Sequence, residues 1–300
     1  GKEGLKMAYS LSNGILQIDI ADVGEYSGTR FDWTGFITGV TLLEGGHTYC
    51  VPESLVPGHG SGGMGLCNEF GISRAIGYEE AAAGEWFPKL GVGLLQKVSD
   101  EPYDFFGNYP LIPFKIEEER SAQSVTYTVQ PMECRGYSIR LTKKITLLED
   151  RLNISYLLEN MGDKPLHTEE YIHNFVGING ASVGPDYELG IPAGLRVEDP
   201  ESFYTADLLA VSGNSLTWKA EPERPFYCKL GIWNKMDDGC FWELRHKPSG
   251  AGVRESGDFA AERMALWGEK HVISPEVFVN ISILPRHSKH WSRSYQFFTL

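Results

Sequence analysis

The sequence predicts one large antiparallel β-sandwich spanning residues 1–300. Three observations carry this expectation: apolar and polar residues alternate over much of the chain, turn-forming residues separate the alternating runs, and helical periodicity is scarce. The first clear run is Leu16, Ile18 and Ile20, interleaved with Gln17 and Asp19. Val125, Tyr127 and Val129 then alternate with Thr126 and Thr128. Ile139 to Leu147 leads through a turn at Glu149-Asp150 into Leu152, Ile154, Tyr156 and Leu158, and Val277 to Ile283 repeats the pattern near the end. A period of two buries one face of a strand. The 34 Gly and 16 Pro punctuate these runs as turns do. The best helical stretch is short, Ser202 to Val211. The expected content is about 45% strand and under ~10% helix. No linker, composition break or fixed repeat divides the chain, and all-β units of this length occur as one domain.

Charge narrows the partners. Lys and Arg total 27 against 40 Asp and Glu, a formal net charge of −13. Such a surface repels nucleic-acid phosphates and anionic membranes, and suits a neutral ligand. The five cysteines, at 50, 67, 134, 228 and 240, include no Cys-x-x-Cys pair. They read as reduced structural thiols rather than a zinc site, and with no visible signal peptide they point to the cytoplasm. No apolar run reaches the ~20 residues that span a bilayer. The glycine-rich stretch Gly58 to Gly65 lacks the Gly-Lys-Ser/Thr of a phosphate loop and reads as a loop over a cleft. The segment Leu66 to Leu95, dense in Gly, aromatics and charge, reads as a cleft wall.

Two segments carry a family resemblance. The first runs from Leu152 to Gly180 and contains the turn Gly162-Asp163-Lys164-Pro165, followed by His173-Asn174-Phe175-Val176-Gly177-Ile178-Asn179-Gly180. The second is Ile273-Ser274-Pro275-Glu276, followed by Leu284-Pro285 and a last strand from Arg293 to Phe298. Together they resemble the aldose 1-epimerases (galactose mutarotases), with His173 on the family histidine, Phe175 on its tyrosine and Glu276 on its glutamate. Ile172 stands where that family usually carries Asn. Tyr9 to Ile20 with Gly28-Thr29-Arg30 resembles the family's opening. Leu66 to Ile72 takes the place of its arginine motif without an evident arginine; Arg30 and Arg74 are the alternatives. The resemblance implies a mutarotase-like sandwich, a small sugar as ligand and no cofactor or metal.

It also implies a chemistry. Interconverting sugar anomers requires a base at the anomeric hydroxyl and an acid at the ring oxygen. A carboxylate and an imidazole suit these roles when their surroundings tune them. Glu276 and His173 are the expected pair, flanking the sugar with roughly 5–8 Å between them and no tight direct hydrogen bond. Asn68, Glu69, Lys89, Glu170 and His271 are further candidates for sugar contacts. Trp86 and Trp267 are candidate stacking platforms. Glu169-Glu170 reads either as a solvated pair or as a group holding His173 protonated. The basic run Arg286 to Arg293 reads as a solvated loop, with a sugar-phosphate site as the alternative. A second function class stays open: a carbohydrate-binding domain of the same fold without turnover. A sandwich within a polysaccharide-processing enzyme is a third. The oligomeric state is not legible.

Overall fold

The computed structural model describes residues 9–198, 200, 202–231 and 239–300. The fold is nearly all antiparallel sheet, 53% strand and 4% helix. Among the described residues, ten strands form each of two large sheets, and three short ones form a third. The first large sheet places Leu66–Phe70, Leu166–Asn174, Val272–Ile283, Arg263–Glu269 and Phe226–Gly231 side by side. The second has Ala251–Gly257, Ser288–Thr299, Arg151–Asn160 and Ile139–Leu148 at its centre.

Alternation explains the layering. In Leu16–Ala21, Ser124–Val129 and Arg151–Asn160 every second side chain is buried. Those residues meet in one apolar core drawn from both large sheets. Tyr156 and Trp291 stack at 4.9 Å, and Phe70 from the first sheet meets both edge-on. Each such fully buried large side chain contributes about 1.5–3 kcal/mol.

The core also contains charge. Arg293, fully buried, donates through Nη2 to Glu170 Oε1 (2.6 Å) and through Nη1 to Glu255 Oε2 (2.8 Å), tying the last strand to the first sheet. Lys143 reaches Asp32 (3.3 Å) and Asn68 (2.9 Å) in the same way. This places Arg293 inside the sandwich. It therefore does not belong to a solvated basic loop, and Trp291 beside it is core. Arg286, at the other end of that run, pairs with Asp163 at 3.4 Å.

The expected helix is shorter than its pattern. It covers Phe203–Leu208, capped by Ser202 Oγ accepting from Thr205 N. Leu209–Ser212 is extended instead, pairing with Ser215–Trp218 through a turn where Gly213 has φ +61°. The hairpin wins because it buries Leu209 and Trp218.

The third sheet, Trp86–Lys89 with Gly93–Gln96 and Leu111–Pro113, rests on its own aromatic cluster, which includes Tyr78, Phe87 and Tyr109. It delivers Lys89 to the side of the first sheet. Among the described residues no helix is long and apolar enough to cross a membrane.

Candidate functional site

A cleft of about 560 Å³ lies on the face of the first sheet turned away from the core. Its floor follows from strand parity. Along Leu166–Asn174, Glu170 and Asn174 point to the second sheet, where Arg293 and Tyr295 meet them. Tyr171 and His173 therefore face outward, and both line the cleft. On the neighbouring strand Glu276 and Phe278 do the same.

Register brings the pair together. Tyr171 sits opposite Phe278, and Val176 bridges Ile273 in the same register, so His173 falls opposite Glu276. The Nε2–Oε2 distance is 3.9 Å. Ser274 Oγ lies 2.8 Å from His173 Nδ1 and 3.4 Å from Glu276 Oε2, coupling the two. His173 also stacks on Phe175 at 3.9 Å and meets Trp267 edge-on at 5.3 Å.

This corrects the expected spacing of 5–8 Å across a ring. The groups are neighbours on one floor, because residues directly opposite on adjacent antiparallel strands hold their side chains side by side.

Burial shapes their protonation. Desolvation raises Glu276 to about 8, with Glu69 adding to the rise and Arg30 opposing it. Desolvation, helped by Arg30, holds His173 well below 6.5. Each group is driven toward its neutral form, so at neutral pH the pair holds one proton between carboxyl and imidazole.

The Glu276 shift also predicts stability. The folded pKa exceeds the unfolded 4.5, so burial of this carboxyl costs nothing at pH 4 and progressively more as pH rises through about 8. Glu276→Gln, which does not titrate, should therefore equal the parent near pH 4 and exceed it by roughly 2–4 kcal/mol at pH 8.5. Urea unfolding at the two pH values checks this. Equal stability of parent and variant at both would contradict it.

Arg30 is the cationic wall. Its Nε donates to Glu69 Oε1 (3.0 Å), Nη1 to Ser61 Oγ (2.8 Å) and Nη2 to Tyr171 OH (3.2 Å). Tyr171 OH in turn donates to Glu69 (2.7 Å). The guanidinium lies under Phe105 and Phe106, at 4.4 and 5.1 Å from their ring centres. The glycine-rich loop closes this side. Ser61 donates to Glu53, which lines the cleft, and a Cβ on Gly63 would strike the Phe175 ring.

The remaining sequence candidates fall elsewhere. Glu69 is fully buried beneath Arg30, and Lys89 reaches the same carboxylate at 3.2 Å without lining the cleft. Asn68 and Glu170 point into the sandwich and bond each other at 3.2 Å, because each has the opposite parity to the cleft residues beside it. Glu170 therefore pairs with Arg293 rather than with His173. Arg74 clamps Glu169 (3.1 Å) and Glu262 (3.0 Å) beside a second groove. His271 bonds the Pro52 carbonyl (2.8 Å) and is absent from the cleft wall. Trp267 lines the cleft, whereas Trp86 does not. Sequence reasoning passed over Tyr171, Phe105, Phe106 and Arg263, which line the cleft, and Ser274, which bridges the pair. Parity was the available signal for two of them: Tyr171 lies two residues before His173, and Ser274 two before Glu276.

The fold is that of the galactose mutarotase-like sandwiches. Solved structures of this class resemble the chain over nearly its whole length. They include a galactose mutarotase related enzyme from Lactobacillus acidophilus (TM-score 0.64, 12% identity, 98% of each chain). A galactose mutarotase-like protein from Lactobacillus casei ATCC 334 gives 0.62 at 13% identity, covering 97% of this chain and all of that one. The GalM/aldose epimerase homologue from C. elegans gives 0.57 at 11%, covering 98% and 99%. At these identities the likeness is one of fold. No protein-family model matches the sequence, and no curated protein is similar to it in sequence.

Proposed function

We propose that the protein binds a small sugar in this cleft and interconverts its anomers by acid–base ring opening. The observation that carries the reading is the His173–Glu276 pair, side by side at 3.9 Å on the cleft floor. Solved structures that resemble it in fold include proteins named for galactose mutarotase and aldose epimerase.

The steps balance within the pair. The member without the proton takes the anomeric hydroxyl proton while the other gives its proton to the ring oxygen. The bond between the anomeric carbon and the ring oxygen breaks, and the carbonyl forms. Rotation about the adjacent carbon–carbon bond presents the other face. Reclosure runs the two transfers backward and restores the starting state. A pair with one proton works in either direction, whichever member holds it at the outset. Arg30 and Tyr171 offer hydrogen bonds to sugar hydroxyls, and Trp267 with Phe105 and Phe106 offers apolar faces for the ring.

The pH dependence follows. Above about 8 Glu276 loses the shared proton, leaving two bases and no acid. Well below 6.5 His173 gains a second proton, leaving two acids and no base. The profile of kcat/KM should therefore be bell-shaped, flat through pH 7 with an alkaline limb near 8. A rate that keeps rising beyond pH 9 would show that hydroxide, not the pair, drives exchange. NMR exchange spectroscopy on a panel of free aldoses tests the function itself. Saturable binding with no acceleration would favour a binding domain of the same fold.

A further inference from the structure

The backbone between the two central strands has a gap at the site. Antiparallel strands alternate between residue pairs that exchange two backbone hydrogen bonds and pairs that exchange none. Val176 and Ile273 exchange both, at 3.2 and 2.9 Å. Two residues further on, the alternation assigns the same exchange to Asn174 and Pro275. Proline has no N–H to give. Regular pairing between these strands resumes only at Tyr171 and Phe278. His173 and Glu276 therefore project from a stretch where the ladder joining their strands has lapsed.

A side chain spans the gap from the core side. Asn174 Nδ2 donates to the Pro275 carbonyl (2.7 Å) and to Glu255 Oε1 (3.1 Å), while its Oδ1 accepts from Tyr295 OH (2.7 Å). Glu255 is itself fixed by Arg293 (2.8 Å) and by Trp242 Nε1 (3.1 Å). Asn174 and the four side chains of this network, Glu255, Tyr295, Arg293 and Trp242, are all buried. Two donors and one acceptor on one short side chain is the amide's pattern. A carboxylate here would set oxygen against both the Pro275 carbonyl and Glu255. On the cleft side, Ser274 to His173 closes the same gap at 2.8 Å.

We propose that Asn174, held by Tyr295 and Glu255 of the opposite sheet, is a positioning residue that sets the separation of His173 and Glu276 where Pro275 interrupts their ladder. The proposal rests on the reading of that pair as acid and base. Without the clasp the strands part, water reaches Glu276, and the pair no longer meets both oxygens of the sugar. Of the charged and polar groups facing Glu276, Arg30, Glu69 and Arg263 on other elements and Ser274 on its own strand stay in place, and His173 on the neighbouring strand is the one displaced.

Asn174→Ser tests it, with Tyr295→Phe as the milder variant that removes the bond orienting the amide, together with a longer contact from the same hydroxyl to Glu255 (3.2 Å). Asn174→Ser should lower kcat by about 10–10²-fold, the scale of a misplaced catalytic group. Sugar Kd should stay within about twofold, because Asn174 lies outside the cleft, and the alkaline limb should move to lower pH. Tyr295→Phe should give a smaller loss in the same direction, and it carries the test if the serine variant does not fold. Unchanged kcat and an unchanged alkaline limb, with only a lower Tm, would make Asn174 merely structural and overturn the proposal. A second readout needs no turnover: the His173 imidazole titration followed by NMR. Glu276→Gln should shift that titration in the parent and shift it less in the Asn174→Ser background; an equal shift in both overturns the proposal. Absence of anomer exchange in the parent sinks the functional reading and leaves this readout standing.

Discussion

Glu276→Gln should cut anomer exchange by about 10²–10⁴-fold while sugar Kd changes little, the signature of a proton-transfer group rather than a binding one. Glutamine keeps the shape and the hydrogen bond from Ser274 but cannot pass a proton. His173→Gln should lose a similar factor, and the double variant should lose scarcely more than either single, because one shared proton makes the pair act as a unit. Additive losses, each variant multiplying the other, would mean that the groups act on separate steps. The same Glu276→Gln chain should be the more stable one above neutral pH. Together these outcomes would show a site held at a cost to the fold.

Arg293→Leu should be the most damaging single change to stability, about 3–5 kcal/mol at neutral pH, because it leaves Glu170 and Glu255 buried without their cation. Its sign with pH is fixed. Desolvation already holds the Glu255 carboxyl above its ordinary value, and losing the arginine that opposes this raises it further in the folded chain. The deficit should therefore be largest near pH 8 and shrink toward pH 4.5 as Glu255 takes up a proton. Thermal unfolding across that range reads it directly. A deficit that does not vary with pH would mean that lost packing, not stranded charge, carries the effect.

The fold was legible because half-buried strands advertise themselves. Leu152, Ile154, Tyr156 and Leu158 are all buried and their polar neighbours are not, as the alternation required. The helix was overestimated because local pattern at Leu209 does not reveal its partner Trp218. At the site, His173 and Glu276 were legible only through resemblance to known segments. Their adjacency was not, since register depends on pairing between residues far apart in sequence. Asn68 with Glu69, and Glu170 three before His173, show where reasoning stopped short. Consecutive residues on one strand face opposite ways, so Asn68 and Glu69 cannot both meet a sugar. With His173 facing the cleft, Glu170 had to face the core. Arg30 and Arg74 were equivalent in sequence, and only the fold separates them: one sits beneath Phe105 in the cleft, the other at the rim with Glu262.

The most direct measurement is two-dimensional NMR exchange between the α and β anomers of glucose and galactose, with sub-stoichiometric protein at pH 7. Exchange cross-peaks should grow with protein concentration for at least one sugar and vanish with Glu276→Gln. Sugar binding detected by line broadening, with an exchange rate equal to that of buffer alone, would contradict it.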